Sequence, residues 1–265
     1  MNIFFRELKA HRKSLIIWSV GMILLIITGM AKYTSLYSTG SAMQDVLNQM
    51  PKSVKVVLGM ADFDVTKVSG FYGMLFLYII LMTTVHAAMI GAGIISKEER
   101  DKTSEFLFAK PVSRDRVISA KLLAAFFNIV VLNIVTTLTS IAIVNKYSNG
   151  EQVNGMILTL MLGMFFMQLI FMFIGTGLAA ASRNPKTAAS AATGILLGTF
   201  VIAKAVDLNS GIDFLKYITP FKYFDPVRLI LGPGFEPVYI ILTVVIVAVL
   251  FVATYRLFKK RDLKI

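Results

Sequence analysis

The sequence holds no cysteine among its 265 residues, which excludes disulfides, thiol nucleophiles and thiolate metal sites. Its two histidines, His11 and His86, lie far apart and in no metal-ligating spacing, so no metal site is expected. A G-x-x-x-x-G-K-[ST] loop is also missing, and without it the chain does not cradle nucleotide phosphates in the P-loop manner. The long apolar runs contain no Asp or Glu. A membrane-embedded hydrolase needs a nucleophile with its base, or paired carboxylates, inside those runs. An ion-driven transporter usually needs an ionisable coupling group there, and only His86 offers one. The sequence therefore reads as no enzyme, with no cofactor bound by this chain and no internal power source.

What is present is apolar surface. Hydrophobic residues make up 56% of the chain and mean hydropathy is +0.73, values of a polytopic membrane protein. The expected architecture is all-α, one membrane domain over 1–265 with six spans at 15–34, 70–95, 120–145, 155–181, 187–206 and 238–257. An interfacial helix is expected over 1–14, where Phe4, Phe5, Leu8 and Leu15 share a face and Arg6, Lys9, Arg12 and Lys13 lie elsewhere. A positive start before an apolar run also suits a signal peptide. However, Leu15–Ala31 lacks an A-x-A site, which favours an uncleaved first span.

The formal charge of +12 could suggest nucleic acid, but the cations stand beside the spans, where they set topology, and no nucleic acid partner is expected. Of the Lys and Arg residues, 18 fall on the side holding both termini and 9 on the other, which makes both termini cytoplasmic.

The most distinctive stretch is the charged run Lys97–Lys121, set between two uncharged segments, with a cytoplasmic coupling loop assigned to 96–118. Lys97–Ala109 lacks Gly and Pro and carries the apolar group Phe106-Leu107-Phe108, which fits a short amphipathic helix ending before Pro111. Ser113 can cap the following helix, with Asp115 in its first turn. A solvated charged loop is the plain alternative, and the apolar tip weighs against it.

The order Thr103, Glu105, Phe106-Leu107, Pro111-Val112-Ser113-Arg114 and Lys121 resembles the coupling segment of the ABC type-2 permeases, the membrane subunits of ABC exporters. Lys102 and Ala120 stand where that family usually has Gly. Three further stretches are similar to the family. Glu7-Leu8-Lys9 precedes a basic pair and Trp18, Thr219-Pro220-Phe221 is similar to a Ser/Thr-Pro-Phe motif, and Arg261-Asp262-Leu263 follows the basic pair Lys259-Lys260. The resemblance implies two cytoplasmic ATPase subunits carrying ATP and Mg, and a second permease, either a copy of this chain or a paralogue. It also implies a bacterial-type plasma membrane and a docking role for Glu98, Glu99, Thr103, Glu105, Phe106, Leu107 and Arg114.

The segment 207–237 joins aromatic residues to four prolines, so broken re-entrant or interfacial helices are expected at the outer face. Tyr217, Pro220, Phe221, Tyr223 and Phe224 are candidates for an outer gate there, with a headgroup-level aromatic belt as the alternative. His86 and Asn128 are candidates for a pathway, or for helix packing through hydrogen bonds. Ser190, Gly194 and Gly198 recur every four residues and suit close helix packing, within the subunit or across a dimer. Apolar spans without a large sugar-binding domain favour an amphipathic or hydrophobic cargo, such as an antimicrobial or cytolytic peptide, a peptide antibiotic or a lipid. Similar permeases export peptide toxins, bacitracin or sodium, and sodium export is the second reading. A non-transporting sensor or scaffold, its loop docked on a different partner, is the third.

Overall fold

The computed structural model describes residues 3–39, 49–60, 63–101, 112–148, 150–182, 184 and 187–260. The long helices are α1 (Ile3–Thr39), α3 (Val68–Arg100), α4 (Arg114–Tyr147), α5 (Asn154–Ala181), α6 (Thr187–Leu208) and α8 (Pro237–Lys260). These six helices are long and apolar enough to cross a membrane. Short elements lie between them: α2 (Lys52–Val57), two 3-10 segments at Ser210–Tyr217 and Pro220–Lys222, and α7 (Pro226–Leu231). No strand occurs among the described residues.

Burial divides the helices into an inner pair and an outer ring. Within their most apolar windows, 72% of α3 and 61% of α5 is buried, against 17% of α1 and of α8. A helix apolar all round has to be surrounded by protein or lipid, and here each case occurs. The inner pair meets backbone to backbone. A Cβ added to Gly91 would lie 2.2 Å from the Met172 carbonyl oxygen, and one added to Gly175 would lie 2.5 Å from that of Ala88. Only glycine permits that approach, and apolar side chains in lipid gain from such contact through packing rather than water release.

This crossing does not use the small residues singled out in the sequence. Ser190, Gly194 and Gly198 are exposed on α6, and nothing among the described residues comes within 4 Å of a Cβ placed on either glycine. Their face is not used for packing within the described part of the subunit.

Two boundaries also differ from the sequence reading. The N-terminal stretch is not a separate interfacial element, because α1 runs unbroken from Ile3 to Thr39. Nothing in it breaks a helix, since the run has no proline and its first glycine is Gly21. Similarly, Lys97–Arg100 continue α3 instead of opening a new helix, and the cap falls at Asp101. The start of α4 is as expected: the Ser113 hydroxyl accepts from the Arg116 N–H, and Asp115 sits in the first turn.

Candidate coupling site at the ends of α1, α3 and α4

Three helices bring charge to one place beside the segment that joins α3 to α4. Glu7 from α1 and Lys121 from α4 are 0% and 1% exposed, and Glu98 from α3 is also buried. The Lys121 ammonium donates to both Glu98 carboxylate oxygens, at 2.8 and 2.7 Å, and to the Ile94 carbonyl at 2.7 Å. These partners satisfy its three donors. Glu7 stands 3.6 Å from the same ammonium. Arg6 reaches over Glu7 and Glu98 at 3.1 and 3.2 Å, and Lys97 approaches Glu7 at 3.4 Å.

Two carboxylates thus meet three cations, with Lys121 innermost and Arg6 and Lys97 toward the surface. Such a cluster contributes little net stability relative to an apolar core, since desolvation offsets most of the attraction. Losing one member is costly, because it strands a buried charge. The arrangement therefore fixes α1, α3 and α4 relative to one another at the ends that flank the coupling loop.

The last helix ends at the same level. Arg114 donates to the Lys259 carbonyl at 2.8 Å, and the Lys259 ammonium pairs with Asp115 at 2.9 Å. Ser119 and Tyr255 exchange a hydrogen bond at 2.6 Å one turn further in. Both the start of α1 and the end of α8 accordingly lie beside the coupling loop.

The expected docking residues divide three ways. Thr103, Glu105, Phe106 and Leu107 lie outside the described residues. Glu98 faces inward, and its place in the ion cluster removes it from an exposed docking surface. Arg114 bonds to the end of α8, and Glu99 follows Glu98 in the last turn of α3. Sequence reading took Lys121 only as a motif position and missed Glu7 as its partner. The available signal was a lone cation and two carboxylates, each within a turn or two of an apolar run and on the same side by charge count.

Deeper in the bundle, His86 is buried, with its ring 5.3 Å from that of Trp18 on α1. The two rings are tilted by 59°, and the His86 Nδ1 has no hydrogen-bond partner among the described residues. Asn128 is also buried and donates to the Ala124 carbonyl at 2.8 Å, a bond within its own helix. A polar link between α4 and α5 comes from Asn133, whose amide reaches the Met161 carbonyl and Gln168, both at 3.2 Å.

At the opposite end, the segment before α8 folds into the bundle mouth. Phe221 sits against Phe171 and Phe200 with centroids 5.8 and 5.3 Å away. Phe224 stacks on Phe166 at 5.5 Å and meets Phe235 edge-on. Tyr223 stacks on Tyr239 at 5.0 Å, and its hydroxyl donates to the Tyr217 carbonyl. Burial, then the neighbouring Tyr239, pushes the Tyr223 phenol above its ordinary value. Pro220 is buried while Tyr217 is exposed. The candidate gate residues, Tyr217 aside, thus close the bundle as packed side chains and not as an exposed aromatic belt.

A family model described as ABC-2 family transporter protein matches residues 1–263. The chain belongs to the ABC-2 transporter family. It is the membrane subunit of an ABC transporter, a multi-pass transport component that works with an ABC ATPase. No curated protein matches the sequence. In this ABC-2 permease the ion cluster stands at the end of α3 and the start of α4, on either side of the segment that joins them.

Proposed function

We propose that this ABC-2 permease exports an amphipathic or hydrophobic cargo, with a cytolytic or antimicrobial peptide, a peptide antibiotic or a lipid as the classes to try first. The working unit is two permeases and two ATPase subunits that bind ATP and Mg, in a bacterial-type plasma membrane with both termini cytoplasmic. Phe106 and Leu107 anchor the ATPase, with Thr103, Glu105 and Arg114 around them, while Glu98 acts behind the loop. The observation that carries the coupling reading is the Glu7–Lys121–Glu98 cluster, which ties α1 and α4 to the very helix that leads into the loop. Movement of the loop then reaches the bundle as rigid displacement of three helices instead of being absorbed at a hinge.

The composition of the spans supports this cargo class. Their windows reach a mean hydropathy of 2.7, and the described residues hold no cluster of metal-ligating side chains, which supports an apolar cargo over a dedicated cation site. The test is ATP-dependent movement of fluorescent amphipathic peptides across vesicles holding the permease and its copurified ATPase. Uptake into inverted vesicles that collapses when ATP is withheld supports the reading. ATP-driven sodium movement with no peptide movement would replace it by sodium export.

A further inference from the structure

The outer segment 209–236 is held by different chemistry on its two sides. Toward α6 it is bonded. Lys222 is buried and donates to Asp207 of α6 at 2.5 Å and to Asp225, the cap of α7, at 2.7 Å. Thr219 is 0% exposed, and its hydroxyl donates to the Thr199 carbonyl of α6 at 2.7 Å. Toward α8, Arg228 donates to the Tyr239 hydroxyl at 2.9 Å, and Tyr223 stacks on the same ring. Toward α3 and α5, no hydrogen bond or ion pair joins the segment among the described residues. Its contacts with α5 are apolar: Phe221 on Phe171, Phe224 on Phe166, and Phe224 with Leu229 against Gly163. On the α3 side a cavity of about 280 Å³ lies between them, with Lys222, Asp225 and Arg228 on one wall and Gly73 and Leu77 on the other.

The two sides part at different cost. Drawing Lys222 from Asp207, or Thr219 from Thr199, strands a mostly buried charge or a buried hydroxyl. Ring contacts inside a bilayer exchange for lipid tails, or for the apolar surface of a cargo, with little loss. The helices α3 and α5 in turn stay together, since Gly91 and Gly175 seat each backbone on the other. We propose that the outer segment is a lid carried by α6, tied to it by Lys222 and Thr219, and that it opens by parting from α3 and α5. The lid rests on the transport reading above, and the seam along α3 and α5 is then the exit for cargo.

The chain has no cysteine, so introduced pairs react alone. Phe221→Cys is combined either with Phe171→Cys on α5 or with Phe200→Cys on α6, whose rings stand 5.8 and 5.3 Å from that of Phe221, and bridged by a short bifunctional thiol reagent. Gly163→Cys/Phe224→Cys is a second α5 pair, because a Cβ on Gly163 lies 3.3 Å from that of Phe224, close to disulfide spacing. Either α5 pair suffices if the other variant does not fold. Crosslinking rates are read in membranes holding the permease and its ATPase, at rest and during ATP hydrolysis. No cargo is added, so a wrong cargo class does not alter the readout. The α5 pairs should slow by at least about threefold during hydrolysis, and the α6 pair should change by less than about 1.5-fold. Adding Lys222→Met and Thr219→Val to the α6 pair should make it slow as the α5 pairs do. Unchanged rates at the folded α5 pairs would overturn the proposal. So would equal slowing at the α6 pair with its ties intact, or no effect of removing those ties.

Discussion

The two ends of the helical bundle are closed by different chemistry. Beside the coupling loop, buried charge holds α1, α3 and α4 together through Glu7, Lys121 and Glu98, with few alternatives once one member is gone. At the other end, Phe221, Tyr223 and Phe224 fill the mouth through ring contacts, and the ion network around Lys222 is only partly buried. Charge in a dry site is directional and intolerant of loss, whereas aromatic packing has many neighbouring arrangements of similar energy. On the function proposed here, the first suits an end that transmits displacement and the second an end that opens.

The comparison breaks most readily at Lys121. Lys121→Met should destabilise the permease by about 3–5 kcal/mol, read as detergent-solubilised unfolding, because two carboxylates are left buried. Combining it with Glu7→Leu and Glu98→Leu should recover most of that loss, since an apolar set of similar volume replaces the whole cluster. At the aromatic end, Phe221→Ala removes a ring wedged between Phe171 and Phe200 and should cost about 3 kcal/mol by the same measurement.

The inner helix crossing gives a smaller effect and a clean contrast. Gly91→Ala forces α3 from α5 and should cost about 1–3 kcal/mol, whereas Gly198→Ala on the open face of α6 should change subunit stability by less than about 0.5 kcal/mol. Any effect of the latter should appear in permease pairing instead, measured by crosslinking.

The smallest effect expected is a pH dependence at Lys222. Burial lowers its pKa, but Asp225 and the hydrogen bonds to Asp207 and Asp225 outweigh this and hold it above the ordinary value of 10.5. A raised pKa means that the stabilisation is fully present below 10.5 and lost as pH rises through the folded value. The melting-temperature gap between wild type and Lys222→Met should therefore stay constant up to that pH and narrow only beyond it.

Much of this was legible in the sequence because it rests on local pattern. Uncharged runs placed six spans, and Ser113 with Asp115 announced the start of α4. What escaped depends on which helices become neighbours. Glu7 and Lys121 are 114 positions apart, and neither is unusual at the edge of a span. The same holds for glycines: the regular spacing of Gly194 and Gly198 drew attention, yet the close crossing uses Gly91 and Gly175, which share no repeat. His86 stood out as the one ionisable group of the spans, but its neighbour across the bundle, the ring of Trp18, is 68 positions away in the sequence.

The most direct test of the account is a mild-detergent pull-down of three forms: wild type, Phe106→Ala/Leu107→Ala and Lys121→Met. Each is quantified for its ATPase and then assayed for ATP-driven transport. The account predicts near-equal ATPase with the wild type, loss of the ATPase from the double loop variant, and a Lys121→Met form that keeps the ATPase but no longer transports. Full ATPase retention by the double loop variant, or undiminished transport by folded Lys121→Met, would contradict it.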